Sequence, residues 1–438
     1  MKYFGTDGIR STVNGSFLNE NFAVNLGEAV AKFVKKNSTE KMPIIIGRDT
    51  RKSGESLLRS FSQGLNNQGL FAVSAGVVPT PVLAHGVIAN NCHLGVMITA
   101  SHNPQGDNGF KFFSQNGTKL SEKQESIIEK NISQKKHCVI ERNVDSINIT
   151  ESYIKYILKL FPEGFLRGLK IVADLSNGAT STTTPKVLSK LGAEVTAIHC
   201  GDGKINDGVG SEYPSLMAKK TNDENADFGI AHDGDGDRTI FSDSNGQIIE
   251  GDKILGLLAL HEKTMGRLNN DSFVATIHSN SGLQASLEKY NISVLHSDVG
   301  DKKVAELMRN QCSNFGGESS GHLVASDFLP TGDGLLTAIL IARVVIESKK
   351  DLRVLSDEIT LWPSYEGSFV VKKKIPLEDC DLLKSELNKT KSNLKQNGRI
   401  LVRYSGTESK IRLLVEAIDQ TLAESTYNSL AKIIKKSL

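Results

Sequence analysis

The chain has 438 residues, and at roughly 150 residues per domain this length predicts about three compact units and excludes a single small core. Lys and Arg total 52 against 50 Asp and Glu, so the formal net charge is +2, and no field of one sign attracts a nucleic acid or an anionic membrane. Hydrophobic residues make up 39% and charged residues 23%, which excludes an intrinsically disordered protein.

The cysteines and the N-terminal segment bear on the compartment. Five cysteines are spread along the chain without a Cys-x-x-Cys pair or a close Cys/His cluster, which is typical of free thiols in a reducing environment. Residues 1–16 contain no apolar signal core. The longest apolar stretch, 335–346, is too short to cross roughly 30 Å of hydrocarbon. We therefore expect a cytoplasmic protein.

Short apolar runs alternate with helical patterns along most of the chain, which predicts α/β units with buried strands. The pattern restarts twice, so that three similar units follow one another. The predicted elements are strands at 43–46, 70–75, 94–99, 170–175 and 273–277, and helices at 183–191 and 281–290. Ligands of open α/β sheets bind beyond the carboxyl ends of strands, so we expect the loops at these ends to carry the chemistry.

The last unit has a different order of elements. It is predicted to contain strands at 368–372, 400–404 and 410–416, and helices at 380–395 and 422–435. This order indicates an α+β unit. Weakly periodic segments at 135–148, 246–251 and 362–366 are the candidate seams between the units.

The segment HDGDGDRT, 232–239, contains three aspartates separated by glycines directly after an apolar run. The carboxylates of Asp233, Asp235 and Asp237 repel one another, but glycines between them let the backbone turn so that the three converge. A hard divalent cation such as Mg²⁺ prefers such oxygen ligands. The plain alternative is a solvated acidic turn.

Two other kinds of site also use closely spaced aspartates. An EF-hand loop that starts at Asp233 is excluded, because Arg238 and Ser244 occupy the positions that require Gly and Glu. A phosphatase of the haloacid dehalogenase type, with Asp235 as nucleophile and Asp237 as acid/base, stays open on spacing alone.

The segment TASHNP, 99–104, also follows an apolar strand. A serine on such a turn exposes its hydroxyl at the edge of the sheet, where Ser101 can accept and donate a group. His102 and Lys111 are expected to place positive charge near a phosphate. The plain alternative is that Ser101 only closes the turn.

Two later loops suit the recognition of a sugar phosphate. RYSGTE, 403–408, offers a guanidinium group, two hydroxyls and a glycine where backbone N–H groups can approach an anion. GGESSGH, 316–322, offers a carboxylate, two serines and an imidazole that titrates near neutral pH. Each loop taken alone is equally compatible with an ordinary polar turn.

Taken together, these motifs resemble the α-D-phosphohexomutase superfamily. FGTDGIR, TASHNP with NGFK, DGDGDR, GGESSGH and RYSGTE occur in the order of that family between residues 4 and 412. SGTE in the last loop and INDGVGS at 205–211 are most similar to the phosphoglucosamine mutase family. The resemblance implies an α/β protein with four domains around a central cleft. These are three similar mixed α/β domains at 1–150, 151–250 and 251–362, and a smaller C-terminal α+β domain at 363–438.

The resemblance also assigns roles to residues. It implies phosphorylation of Ser101, which activity requires, and one Mg²⁺ per chain. The implied metal ligands are a phosphate oxygen on Ser101 and the carboxylates of Asp233, Asp235 and Asp237. The groups implied around the transferring phosphoryl group are Arg10, Lys111 and Arg238, with His322 or Lys111 as general acid/base. The implied substrate-binding residues are Glu318 and Ser320 for sugar hydroxyls, and Arg403, Ser405, Gly406 and Thr407 for the phosphate that does not react.

The implied activity is that of a phosphoglucosamine mutase. It interconverts glucosamine 6-phosphate and glucosamine 1-phosphate through a phosphoserine enzyme and a bisphosphate intermediate, for amino-sugar nucleotide and cell-wall precursor synthesis. A phosphomannomutase or phosphoglucomutase of the same superfamily and the Asp235-based phosphatase stay open as alternatives. A hexosamine phosphate is the expected partner, nucleic acids and membranes are not expected, and a homodimer is left open.

Overall fold

The described residues form four β-sheets, each built from strands that are close in the sequence. The structure is a computed structural model that describes residues 1–37, 42–140, 143–371, 374–405 and 409–437. It divides into unit 1, Met1–His278 and Val294–Ser356, and unit 2, Ser279–Ser293 and Asp357–Leu438. Three of the sheets lie in the first part of the chain, and the fourth belongs to unit 2.

The first sheet has six strands, most of them in the first hundred residues. Its elements are β1 (Phe4–Gly5), β2 (Gly8–Thr12), α1 (Glu20–Asn37), β3 (Ile44–Arg48), α2 (Gly54–Asn67), β4 (Ala72–Val77), α3 (Thr80–Ala89), β5 (Leu94–Ile98), β6 (Asp107–Ser114) and α4 (Glu122–Lys130). The strand order is β1-β2-β6-β5-β3-β4. β3 is parallel to β4 and β5, whereas β6 is antiparallel to β2 and β5, so the sheet is mixed.

The second sheet has five strands and contains the hairpin that carries the aspartates. Its elements are α5 (Thr150–Leu160), β7 (Lys170–Asp174), a 3₁₀ turn (Ala179–Thr182), α6 (Thr184–Lys190), β8 (Glu194–Ile198), α7 (Ser215–Asp223), β9 (Phe228–His232), β10 (Thr239–Ser242) and β11 (Ile248–Ile249). The order is β11-β10-β9-β7-β8, with β7 parallel to β8 and β9 and with β9 and β10 antiparallel.

The third sheet has four strands. The elements of this part of the chain are α8 (Gly251–Thr264), β12 (Ser272–Thr276), α9 (Ser281–Glu288), β13 (Ser293–Ser297), α10 (Asp301–Gln311), β14 (Phe315–Gly317), β15 (Leu323–Ala325), α11 (Gly334–Ser348) and α12 (Leu352–Ser356). The order is β13-β12-β14-β15. The longest apolar stretch of the sequence is the buried helix α11. Among the described residues, no helix combines the length and the apolar character needed to cross a membrane.

Unit 2 contains the fourth sheet, which is fully antiparallel. Besides α9, its elements are β16 (Ser364–Val370), α13 (Asp381–Leu394), β17 (Gly398–Tyr404), β18 (Lys410–Ala417) and α14 (Gln420–Ser437). The strand order is β16-β18-β17. The buried carboxylate of Glu416 in β18 accepts hydrogen bonds from the backbone N–H of Ser281, at 2.9 Å, and from its hydroxyl, at 2.6 Å, which fixes the start of α9 in this unit.

The predicted fold class is confirmed, since three α/β regions with mixed sheets are followed by a smaller α+β region. β16 was predicted at 368–372 but begins at Ser364 and ends at Val370, because its alternating burial leaves few apolar residues in a row. The domain boundaries after residues 150, 250 and 362 and the central cleft stay predictions.

Helices α1 and α2 pack closely because each has a glycine at their contact. A Cβ atom on Gly27 would lie 2.2 Å from the carbonyl oxygen of Phe61, and a Cβ atom on Gly64 would lie 2.1 Å from that of Val24. Glycine in a helix costs about 1 kcal/mol relative to alanine. The two helices therefore accept this cost in exchange for contact between their backbones.

We expect Gly27→Ala to lower the free energy of unfolding by about 2 kcal/mol, because the added methyl group meets a backbone carbonyl that cannot turn away. Thermal unfolding followed by circular dichroism should show a melting temperature several degrees lower. Gly106→Ala is the control, since its Cβ atom would meet no atom within 4 Å. Equal melting temperatures for Gly27→Ala and the unchanged protein would contradict the close contact.

Helix α11 begins at a buried carboxyl group. Asp333 accepts hydrogen bonds from the backbone N–H of Leu336, at 3.0 Å, and from the hydroxyl of Tyr153 in α5, at 2.7 Å. Burial raises the pKa of Asp333 to about 6, although both hydrogen bonds act in the opposite direction. The folded protein therefore keeps a proton on Asp333 at pH values where the unfolded chain has lost it.

This difference makes part of the stability depend on pH. The pKa of Asp333 is about 6 in the folded state against an ordinary 3.8, so its contribution is complete below about pH 4 and is lost as the pH rises through 6. The full effect corresponds to about 3 kcal/mol. In urea unfolding between pH 4 and 8, Asp333→Asn should lack this pH-dependent part of the stability. The free energy of unfolding of the wild-type protein should therefore rise relative to that of the variant as the pH falls from 8 to 4. A difference between the two that is constant with pH would refute this assignment.

Candidate active site

The loop between β9 and β10 places three buried carboxylates together. Asp233, Asp235 and Asp237 are at most 2% exposed, and one oxygen of each lies within 4.8 Å of the others. The glycines between them permit this turn: Gly236 has a φ of 72°, and a Cβ atom on Gly234 would lie 2.8 Å from the carbonyl oxygen of Ser101. A solvated acidic turn is therefore excluded.

Three parts of unit 1 hold this loop by its backbone. The carbonyl of Gly234 accepts a hydrogen bond from the N–H of Ala179, that of Asp235 from Thr80, and that of Gly236 from Gly334, at 2.8 to 3.1 Å. These donors stand at the starts of the 3₁₀ turn, of α3 and of α11. The N-termini of α3 and α11 carry partial positive charge, so they also favour the negative charge of the loop.

The carboxylates keep oxygens with which a metal ion can bond. Within the described residues, Oδ1 of Asp235 and Oδ1 of Asp237 are buried without a hydrogen-bond partner. Burial, together with the carboxylates of Asp237 and Asp235, raises the pKa of Asp233 well above its usual value. Carboxylates that repel one another away from water need a compensating cation. The donor set therefore fits a hard divalent ion.

Ser101 lies directly against this cluster. It follows β5 in a turn with a φ of 52°, and its hydroxyl donates a hydrogen bond to Oδ2 of Asp233 at 2.6 Å. Nδ1 of His102 is 3.3 Å from the same hydroxyl oxygen. Burial and three neighbouring cations, Arg238 foremost, lower the pKa of His102 to about 4. The imidazole is neutral at pH 7, so the positive charge predicted for His102 is wrong.

Lys111 supplies the counter-charge from β6. Its buried Nζ lies 2.7 Å from Oδ2 of Asp235, 2.9 Å from Oδ2 of Asp237 and 3.3 Å from Oδ2 of Asp7. Burial favours a neutral amine, but these three carboxylates outweigh it and raise the pKa of Lys111 well above its usual value. Lys111 is therefore a cation at neutral pH.

A cavity of about 540 Å³ opens beside the aspartate loop. This volume is within the range of about 300–1,000 Å³ that is usual for small-molecule sites. Five of the residues singled out in the sequence analysis line it: Arg10, Asp237, Arg238, Glu318 and His322. Asp237 belongs both to the carboxylate cluster and to the cavity wall, so the two are continuous.

The loop after β14 provides one wall of the cavity. The backbone N–H of Glu318 donates to the carbonyl of His322 at 2.9 Å, which closes the loop, and Oε1 of Glu318 accepts from the N–H of Gly300 at 3.1 Å. Nε2 of the buried His322 lies 3.2 Å from Oδ2 of Asp301. Among the described residues, Ser320 is half-buried in this loop but is not part of the cavity wall.

Sequence reasoning missed three charged residues near the site. Asp7 accepts hydrogen bonds from Arg10 and from Lys119, each at 2.5 Å, and Lys119 also contacts Asp301. Asp7 lies within the FGTDGIR motif, three residues before Arg10, so the motif itself points to it. Lys119 and Asp301 stand in unremarkable polar segments, and only the fold brings them together.

The residues predicted to bind the second phosphate belong to unit 2. Arg403 is exposed at the end of β17, and the N–H of the buried Ser405 donates to the carbonyl of Lys410 at 2.8 Å. Gly406 and Thr407 lie outside the described residues.

Four family models match the chain one after another. They are the phosphoglucomutase/phosphomannomutase α/β/α domain I at residues 1–137, domain II at 151–246, domain III at 250–362 and the C-terminal domain at 369–433.

Solved structures share the fold over the whole chain. A phosphoglucomutase/phosphomannomutase family protein from Burkholderia thailandensis has a TM-score of 0.82 and 22% identity, covering 99% of this chain and 97% of that one. A putative phosphomannomutase from Thermus thermophilus has a TM-score of 0.81 and 22% identity, covering 99% and 98%.

Relatives named phosphoglucosamine mutase have higher sequence identity to this chain than these two structures do. The protein from Macrococcus caseolyticus is 39% identical over 99% of this chain and 98% of its own length. The proteins from Aliarcobacter butzleri and Chlamydia abortus are 38% and 37% identical, covering 100% and 99% of this chain and 100% and 97% of theirs. With the order of the motifs and the four matched domains, this similarity shows that the chain belongs to the phosphoglucosamine mutase family of the phosphohexomutase superfamily.

Proposed function

We propose that the protein is an intramolecular phosphotransferase that interconverts glucosamine 6-phosphate and glucosamine 1-phosphate. The observation that carries the proposal is the 2.6 Å hydrogen bond between the hydroxyl of Ser101 and Asp233, which sets a nucleophile against a buried carboxylate cluster suited to a metal ion. The name shared by full-length relatives supports an amino sugar as the substrate. The cytoplasmic location, the role in cell-wall precursor synthesis and a homodimer belong to the same proposal.

The reaction consists of two phosphoryl transfers. In the first, the bond between phosphorus and Oγ of phosphorylated Ser101 breaks while phosphorus bonds to O1 of glucosamine 6-phosphate, and the proton of O1 passes to the enzyme. In the second, the bond between phosphorus and O6 of the resulting bisphosphate breaks while this phosphorus bonds to Oγ of Ser101, and O6 gains a proton. Glucosamine 1-phosphate is released, and the phosphoserine is restored.

Residues around the cavity divide the remaining tasks. His322 moves the proton, because its imidazole lies in the cavity wall, with Nε2 3.2 Å from Oδ2 of Asp301. Lys111, held as a cation by the carboxylates, stabilises the negative charge of the phosphoryl group and is a poor base. Arg10 and Arg238 add positive charge from the cavity wall. The groups proposed to bind substrate are Glu318 and Ser320 for hydroxyls, and Arg403, Ser405, Gly406 and Thr407 for the second phosphate.

The proposed metal ligands are Asp233, Asp235, Asp237 and a phosphate oxygen on Ser101. When bound, Mg²⁺ supplies electrostatic stabilisation of the phosphoryl group. The loop that carries the aspartates is held through its backbone, which is hydrogen-bonded at three successive residues.

The phosphoserine is tested by mass spectrometry and kinetics. We expect the isolated enzyme to carry one phosphoryl group on the peptide that contains Ser101, and Ser101→Ala to lose that group and turnover by about a thousandfold or more. Ser189→Ala, at an exposed position of α6, is the control and should behave like the unchanged protein. Phosphate release that survives Ser101→Ala would favour the phosphatase based on Asp235.

The substrate is tested by a coupled assay with glucosamine, mannose and glucose 6-phosphates. We expect kcat/KM for glucosamine 6-phosphate to exceed the other two by about tenfold or more. A preference for mannose or glucose phosphate would overturn the proposed substrate and favour the phosphomannomutase or phosphoglucomutase alternative.

The metal ligands are tested by binding of Mn²⁺, which reports on a magnesium site through its electron spin resonance signal. In the part of the chain that the structure describes, two groups of side chains are close enough to hold an ion: the three loop aspartates, and Asp237 with Asp301 and His322. We expect Asp233→Asn to weaken Mn²⁺ binding by about tenfold or more, because it removes one carboxylate of the first group. Asp301→Asn is the matched control and should leave the affinity unchanged. The reverse result would place the metal in the second group.

A further inference from the structure

The backbone of Ser101 has a conformation that must be held from outside. Its φ of 52° is left-handed, which L-residues other than glycine rarely adopt. The hydroxyl that bonds to Asp233 depends on this conformation, because φ sets the direction in which the side chain leaves the loop. Strained backbone of this kind persists only where its surroundings fix it.

Arg51, which follows β3 and is 1% exposed, holds this loop from one side. Its guanidinium group donates to four backbone carbonyls of the segment: Ser101 at 3.0 Å, Asn103 at 2.7 Å, Asp107 at 2.9 Å, and Pro104. The remaining N–H, on Nε, donates to Oδ2 of Asp49 at 3.0 Å. All five N–H donors of the guanidinium group are therefore used: four bind carbonyls of the loop 101–107, and one binds Asp49.

The same network also holds the N–H of Ser101. This N–H donates to Oγ1 of Thr99 at 2.8 Å, and the hydroxyl of Thr99 donates to Oδ2 of Asp49 at 2.6 Å. Asp49 is fully buried and pairs with Arg51. The amide and the carbonyl of Ser101 are thus tied to one closed ring of hydrogen bonds.

Asn206 holds the loop from the other side and comes from the segment after β8. Its Nδ2 donates to the carbonyl of Ser101 at 2.7 Å and to that of Asn103 at 3.0 Å. The hydroxyl of Ser176 donates to Oδ1 of Asn206 at 2.6 Å, which turns the amide so that its N–H groups face the loop. The carbonyl oxygen of Ser101 therefore has a donor for each of its two lone pairs, one from Arg51 and one from Asn206.

We propose that Arg51 and Asn206 are positioning residues that form a two-sided clamp on the serine that carries the phosphoryl group, an inference that rests on the proposed function. The clamp fixes the backbone of Ser101 and leaves only its side chain to take part in the reaction. Neither residue lines the described cavity, so the clamp acts on the transfer step and not on binding of the sugar. Without it the loop relaxes, Oγ moves away from Asp233, and water reaches the phosphoserine.

The test measures Asn206→Ala and Arg51→Lys beside the unchanged enzyme. We expect each variant to lower kcat by about tenfold or more while KM for glucosamine 6-phosphate stays within about twofold. Phosphate should also leave the phosphoserine of the variants faster in the absence of sugar, as followed by intact mass well below the melting temperature of every variant. A lysine keeps the charge beside Asp49 but cannot reach four carbonyls.

Two further variants separate the clamp from a general loss of structure. Asp207→Ala, next to Asn206 but exposed, is the matched control and should behave like the unchanged enzyme. Ser176→Ala leaves Asn206 in place but frees its amide, so its loss of kcat should be smaller and in the same direction. The clamp is refuted if the wild-type enzyme is active and Asn206→Ala has the same kcat and phosphoserine lifetime, or if only KM changes.

A wild-type enzyme that carries no phosphoserine and shows no turnover would instead refute the proposed function.

Discussion

The burial of three carboxylates in one loop is the constraint on which the rest of the structure depends. Removing such charges from water is costly unless opposite charge lies within contact distance. Lys111 provides it from a strand of another sheet, and the pairing of Lys111 with Asp7 continues into Lys119 and Asp301. Positive and negative groups alternate along this path until it reaches the cavity wall. A chain with nearly balanced total charge thus concentrates strong local fields in one place.

The architecture explains how residues far apart in sequence meet here. β5 and β9 belong to different sheets, but each ends in a loop at its carboxyl edge, and the hydroxyl of Ser101 bonds to Asp233 between the two. Because the first sheet is mixed, β6 runs back beside β5 and brings Lys111 to the same edge. The loops after β5 and β9 therefore contact each other directly.

Much of this arrangement can be predicted from the sequence, because buried strands and glycine-rich loops leave local signals. The apolar run 94–99 predicts β5 with an error of one residue at its end. The alternation of Asp and Gly from 233 to 237 predicts that the three carboxylates converge, as they do in the structure. Tertiary effects could not be predicted. The pKa of His102 is lowered by burial and by cations from other segments, which no local pattern reveals. Arg51 ends a GRDTR segment that looks like an ordinary polar turn, and its carbonyl partners are about fifty residues away.

The three backbone hydrogen bonds that hold the aspartate loop have a consequence for the order in which the protein is made. The loop itself and two of its donors, Thr80 and Ala179, have been synthesised by residue 237, but the third donor is Gly334. Domains generally fold as the chain leaves the ribosome, from the N-terminus onward. A nascent chain therefore carries all three carboxylates and Lys111 well before the start of α11 can fix them. The aspartate loop, near the middle of the chain, is therefore synthesised about a hundred residues before the last of its three backbone donors.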